Sequence, residues 1–479
     1  SLMKTFNEIY ILDLHGNSLK KETAPDGGKD ENVFDIRQGT AIAIFVKQKE
    51  KTGCKVYYAE LFGKRQSKYD WLDTHQLDIK NYQLLKPESP WYFFVPRNIV
   101  KIQYYLKWKR INEIFPVNGV GITTARDNFV IDFNKSSLLN RIRLFKNSKF
   151  SDKELHQFFQ INKKQGWDIR KAWNTLQEIS DNELEKHIAT ITYRPFDNRY
   201  IFWHDPVIER TRSEVMRHMM KENLGLITVR QVAEGVFNHS FITENIIESR
   251  VTLSNKGIAY LFPLYLYKEA APKKSHYSSM MLFEPEVEYG SNKTPNIDKK
   301  IHQTLNKTYG REITPEEILY YIYAVFYSNI YREKYAEFLK IDFPRVPFTA
   351  DYKVFSNMAA LGNELVDLHL MKNKRLDKLV SKYEGESEND RIDMIVYRES
   401  EKRIYINDEK YFDNVSPEIW KYQIGGYQVL YKYLKDRKGK NMDDFAHYSR
   451  IITALSYTME IQQEIAQIYS KVEKETIEF

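Results

Sequence analysis

Three apolar, β-rich runs fill much of the first 61 residues: FNEIYILDL (6–14), TAIAIFV (40–46) and CKVYYAEL (54–61). Val, Ile, Tyr and Phe bounded by polar turn residues read as strands, and no helical pattern separates them. A doubly wound sheet needs a crossover helix between parallel neighbours. The strands are therefore expected to be the last ones of a sheet, not a complete domain. The first is apolar enough for burial on both faces, and polar 47–53 is short enough to be a hairpin connection between the other two. Residues 15–29, with Asp26-Gly27-Gly28, carry loop chemistry. His15-Gly16-Asn17 is either a site at a strand end or simply a turn.

Beyond this region the chain changes character twice. Residues 62–295 are mixed: helical patterns at 68–78 and 151–185, short strand candidates within 115–133, and strands at 226–232 and 257–267. Polar 273–295 reads as a linker or loop. From 296 onward helices dominate. Thr314-Pro315-Glu316-Glu317 is a capping box with Pro at the first helical position, followed by helical spacing through Ile318, Tyr321, Ile322 and Val325. Residues 355–371, 420–434 and 451–472 continue the pattern, while basic 372–382 beside acidic 384–390 reads as an exposed loop. The expected class is mixed α/β and α+β: trailing strands (1–61), a mixed α/β domain (62–295) and a mainly helical region (296–479).

Charge is distributed unevenly. Residues 101–150 hold ten Lys and Arg against Glu113, Asp127 and Asp132, which equals the whole chain's excess of +7. With Tyr104, Tyr105 and Trp108 nearby, such a window suits a polyphosphate surface, where cations release counterions and rings stack on bases. A solvated face of an ordinary domain is the alternative. A second dense segment, TYRPFDNRYIFWHDPVIERTRSEVMRHMM (192–220), interleaves Arg194, Arg199, Arg210, Arg212 and Arg217 with aromatic rings. Arginine's planar fork can grip a phosphate or a guanine edge. Equally, Arg194 and Arg199 can pair internally with Asp197 and Asp205 around Pro195.

Several classes have no support. The sequence holds no GxxxxGK[ST], HExxH, CxxC or GxSxG motif, and Gly119-Val120-Gly121 alone does not make a dinucleotide loop. No catalytic residue and no metal site is assigned. Asp408-Glu409-Lys410, or Asp26 with Glu31, has the residue types of a metal-dependent nuclease but no defining spacing. The lone cysteine, Cys54, rules out an internal disulfide framework. No apolar run approaches the ~18 residues of a membrane span. A reducing cytoplasm is the expected compartment. Ser1-Leu2 ahead of Met3 fits a cloning remnant, so a piece of a longer protein is expected.

Four stretches, in order along nearly the whole chain, carry a resemblance: EIYILDLHGN (8–17) with DENVFDIRQGTAIAIFVK (30–47); GITTARDNFVIDF (121–133); TYRPFDNRY (192–200) with ERTRSEVMRHM (209–219); and DFPRVPF (342–348) with LGNELVDLHL (361–370) and IGGYQVLYKYLKDR (424–437). The chain resembles the C-terminal, target-specificity part of adenine-specific N6 DNA methyltransferases of the type ISP or type IIG-like restriction–modification group. The resemblance implies that 1–61 closes a Rossmann-like methyltransferase sheet, its second and third strands forming the antiparallel edge. It also implies that 62–295 recognises double-stranded DNA and that 296–479 supports it. The family's glycine motif for S-adenosylmethionine and its Asn-Pro-Pro-Tyr motif are absent here. Cofactor and chemistry are thus expected in an upstream domain, with nuclease or translocase domains as further partners, and this chain alone is expected to transfer no methyl group. Phosphate contacts are expected from Lys107, Lys109, Arg110, Arg141 and Arg143, and the closest approach to DNA from Arg126 in the ITTARD turn. Arg194, Arg199, Arg210, Arg212 and Arg217 come next. A protein-interaction scaffold that binds no DNA is the competing reading.

Overall fold

The computed structural model describes residues 1–479 except 19–21, 50–51, 90–91, 97–98, 163–166, 233–234, 255–256 and 269–292. Two compact units emerge, Ser1–Tyr104 and Tyr105–Phe479. Most of the expected 273–295 linker lies outside the described residues; its last three, Lys293–Pro295, form a strand paired with Tyr265–Tyr267.

In the first unit the strands are β1 (Glu8–His15), β2 (Thr40–Val46), β3 (Lys55–Glu60) and β4 (Gln83–Leu85), in the order β2-β1-β3-β4. β1 runs antiparallel to β2, Glu8 opposite Val46, and parallel to β3, Glu8 opposite Lys55. The expected β2–β3 hairpin and antiparallel edge pair are therefore corrected: β1 lies between the two. Its apolar residues on both faces favour the central position, where both edges are hydrogen-bonded. Leu12 and Leu14 pack with Val33, Trp71 and Leu72, the last two from α1 (Arg65–Thr74).

The His15-Gly16-Asn17 segment is a braced turn. His15 takes φ +49 and its ring stacks on Phe62 at 3.8 Å. Asp30 accepts from the Gly16 and Gly63 amides at 2.6 and 2.8 Å and pairs with Lys68 at 2.7 Å, both side chains fully buried. Lys68 also donates to the carbonyls of Leu14 and Glu31, so the buried charges are compensated from several sides.

The second unit contains β5 (Lys109–Arg110), β6 (Gly119–Val120), β7 (Ile131–Asp132), β8 (Ile188–Arg194), β9 (Asp197–Phe202), β10 (Gly225–Val229), β11 (Phe241–Thr243), β12 (Ile246–Ile247) and β13 (Ala259–Pro263). Eight of these form two four-stranded sheets, β11-β10-β13-β6 and β12-β8-β9-β7. Helix α2 (Lys135–Asn147) carries buried Leu138, Ile142 and Phe145 on one face, with Asn134 capping it through the Ser137 amide. The 151–185 pattern resolves into two short helices, Asp152–Phe158 and Ile169–Gln177.

Three long helices dominate the C-terminal part: α3 (Pro315–Tyr327), α4 (Tyr352–His369) and α5 (Phe445–Val472). The capping box is present: Thr314 accepts from the Glu317 amide, and the Glu317 carboxylate accepts from that of Thr314. The expected helix at 420–434 is corrected. Pro417–Lys421 ends and Val429–Lys435 begins around a tight turn, where Gly425 at φ +59 lies against the Thr252 carbonyl with no room for a Cβ. The acidic 384–390 loop begins in a strand, Tyr383–Glu384, paired with Tyr411–Phe412. Segments 62–295 and 296–479 are tied together, since Arg345–Val346 pairs with β5.

Candidate nucleic-acid interface

The GITTARD segment forms a rigid turn at the meeting point of several strands. A Cβ on Gly121 would fall 2.6 Å from the Ser249 Cα, so only glycine lets the chain pass. Ile122 then bridges Glu248 and Thr123 bridges Arg210. Ala125, at φ +58, reverses the chain. Asp127 clamps the turn: its carboxylate accepts from the Thr124 hydroxyl and, at 2.7 Å, from the Tyr193 hydroxyl.

Arg126 is only 6% exposed. Its guanidinium lies 3.7 Å over the Trp167 ring, and Nη1 donates to the Val207 carbonyl at 3.4 Å. Nε and Nη2 are buried without a hydrogen-bond partner among the described residues. Burial pushes its pKa down to about 10, against an opposing pull from Glu209.

The arginine-rich segment is internally paired. Arg194 bonds Glu248 at 2.6 Å, while Arg199 bonds Asp197 at 2.6 Å and Asp436 at 2.9 Å. Arg437 holds the other oxygen of Asp197 at 2.8 Å. Arg194 and Arg199 lie over the Tyr193 ring, at 4.0 and 3.9 Å. Burial favours the neutral form of Asp197, but Arg199 and Arg437 outweigh it and hold the carboxyl below its usual range. Internal pairing of these arginines was one of the two sequence readings, with one partner corrected: Asp205 accepts from Thr211 instead. The parallel pairing of β12 with β8 carries Glu248 to the end of β8, beside Arg194.

The remaining cations differ in availability. Arg110 is bound to Glu113 and Asp342. Arg141 caps the carbonyls of Phe129 and Ile131 and pairs with Asp132. Lys109, Arg143, Arg212 and Arg217 are half-buried, with Arg212 at φ +53. Lys107 is exposed with Glu478 2.9 Å away, and Arg210 is exposed. Tyr105 and Trp108 are core residues packed on Tyr335, not stacking platforms; Tyr104 is exposed. Sequence reading missed Asp436 and Arg437, and it missed exposed Lys435, Lys438 and Lys440 beside them. The density of cations in KYLKDRKGK (432–440) was the available signal. Among the described residues no group of three His, Cys, Asp or Glu is placed to hold a metal ion.

Residues 113–464 match the family model of the Type ISP C-terminal specificity domain. No curated protein matches the sequence. Three solved structures share the fold, each with a TM-score of 0.65: a nuclease-deletion mutant of the Type ISP restriction–modification enzyme LlaGI with a DNA substrate mimic (20% identity), the ATP-dependent Type ISP enzyme LlaBIII bound to DNA (18%), and a DrdV–DNA complex (20%). They cover 97%, 97% and 99% of this chain, which spans only 37%, 31% and 48% of theirs. With the model matched across most of its length, the chain belongs to the Type ISP C-terminal specificity domain family.

Proposed function

We propose that this chain is the DNA target-recognition segment of a restriction–modification enzyme, positioning double-stranded DNA for N6-adenine methylation by an upstream catalytic domain. The observation that carries this reading is the specificity-domain match over 113–464, which contains the clamped GITTARD turn and the part of the basic window from Glu113 onward. In this reading S-adenosylmethionine is held by the upstream domain. Strand β2 supports such a neighbour: Ile42, Ile44 and Phe45 are exposed on an edge strand, and apolar edges are ordinarily covered. The cytoplasm suits a DNA-binding protein with a single free cysteine.

Of the cations named from sequence, Lys107 and Arg210 are best placed for phosphates because both are exposed. The test is selection from a duplex pool with a randomised centre, followed by affinity measurement over a salt series. A sequence preference and a steep salt dependence, about 0.9 in the log–log slope per phosphate, are expected. Lys107→Gln and Arg210→Gln should each lower that slope by about one phosphate. Absence of binding at low salt would overturn the reading in favour of a scaffold.

A further inference from the structure

Beside the GITTARD turn lies a depression of about 160 Å³. The turn contributes Ala125, Arg126, Asp127 and Asn128 to its walls, and the segment after Asp152–Phe158 contributes Gln160 and Asn162. The carboxamides of Asn128, Gln160 and Asn162 stand on exposed residues and make no hydrogen bond among the described residues. Ala125 and Gln160, both in its lining, hold left-handed backbone, φ +58 and +51. Non-glycine residues pay about 1 kcal/mol for that conformation, and such strain concentrates where a site must be held in shape.

The chemistry of the walls selects the ligand. An apolar group would strand three carboxamides. A lone phosphate would meet the Asp127 carboxylate and amide oxygens that repel it. Each carboxamide offers a donor beside an acceptor, the complement of adenine's major-groove edge, where N7 accepts from and N6 donates to Asn or Gln. Arg126, also in the lining, adds positive potential while it stacks on Trp167.

We propose that this depression seats the major-groove edge of a base pair in the recognition sequence, with Asn128, Gln160 and Asn162 as the reading side chains. This rests on the DNA-recognition reading above. It assigns base discrimination to the amides lining the depression and leaves the arginines to structure and phosphates.

The experiment measures affinity of the full chain for its selected duplex and for a scrambled duplex of equal length, with Asn128→Ala, Gln160→Gly and Asn162→Ala compared with wild type. Gln160→Gly keeps the left-handed backbone permitted, and melting temperatures confirm folding. At least one variant should lose about tenfold or more on the selected duplex, keep its affinity for the scrambled one, and keep the salt slope. Reselection with Asn128→Asp should move the preference at one position toward cytosine, whose N4 donates. Equal losses on both duplexes with a shallower salt slope would reveal phosphate contacts and overturn the proposal. So would unchanged affinity for both duplexes in all three alanine and glycine variants. If wild type selects no sequence, the recognition reading itself fails; a selecting wild type with unaffected variants removes only the pocket.

Discussion

Arg126 and Arg194 lie 68 positions apart, the first buried and the second with a side chain only 11% exposed, yet their energetics differ. Arg194 answers the buried Glu248 carboxylate at 2.6 Å. Removing one member of a buried pair leaves an uncompensated charge, at about 3–5 kcal/mol. Arg126 has a ring beneath it and one carbonyl bond, with two nitrogens unpaired among the described residues. We expect Arg194→Leu to cost about 3 kcal/mol or more in chemical denaturation, and Arg126→Met less than about 1 kcal/mol, since lost cation–π attraction is offset by relief of a desolvated charge. Equal losses would show that Arg126 is compensated by a group outside these contacts.

Among the elements, the crossing of α3 and α4 depends on Gly362. A Cβ there would lie 1.9 Å from the Tyr320 carbonyl oxygen, so any side chain forces the helices apart. Gly362→Ala should destabilise by about 1–3 kcal/mol through overpacking, although alanine is the better helix former; a rise in melting temperature would contradict this crossing geometry. The sequence made α3 itself legible, because capping and 3.6-residue spacing act between near neighbours. It did not disclose the close crossing. In 420–434 the apolar spacing suggested one helix, whereas the chain bends at Gly425 to pass the Thr252 carbonyl, a contact that periodicity cannot encode.

Across the whole molecule, buried titratable groups set the acid response. His369, whose ring nitrogens meet the hydroxyls of Tyr323 and Thr458, is pushed down by burial and then by Arg332 to about 3; His239, by the same causes, to about 4. Both are neutral in the fold and bind protons more readily when unfolded, so their contribution is complete above about pH 6.5 and declines as pH falls toward their folded values. Asp197, held low by Arg199 and Arg437 against burial, contributes above about pH 4 and is lost below it. Melting temperature should therefore fall progressively from about pH 7 to about pH 3, with His369→Gln flattening the upper part of the curve; a curve flat between about pH 7 and pH 5 would count against neutral buried histidines. By itself the sequence determined what acts over a few residues: the strand runs, the Thr314 cap, and a GITTARD turn in the basic window. Only the tertiary structure decided which arginines are spent, because Glu248 lies 54 residues from Arg194 and Asp436 lies 237 from Arg199. Such partners meet only after long loops close, and the free energy that brings them together comes from packing and burial elsewhere in the chain.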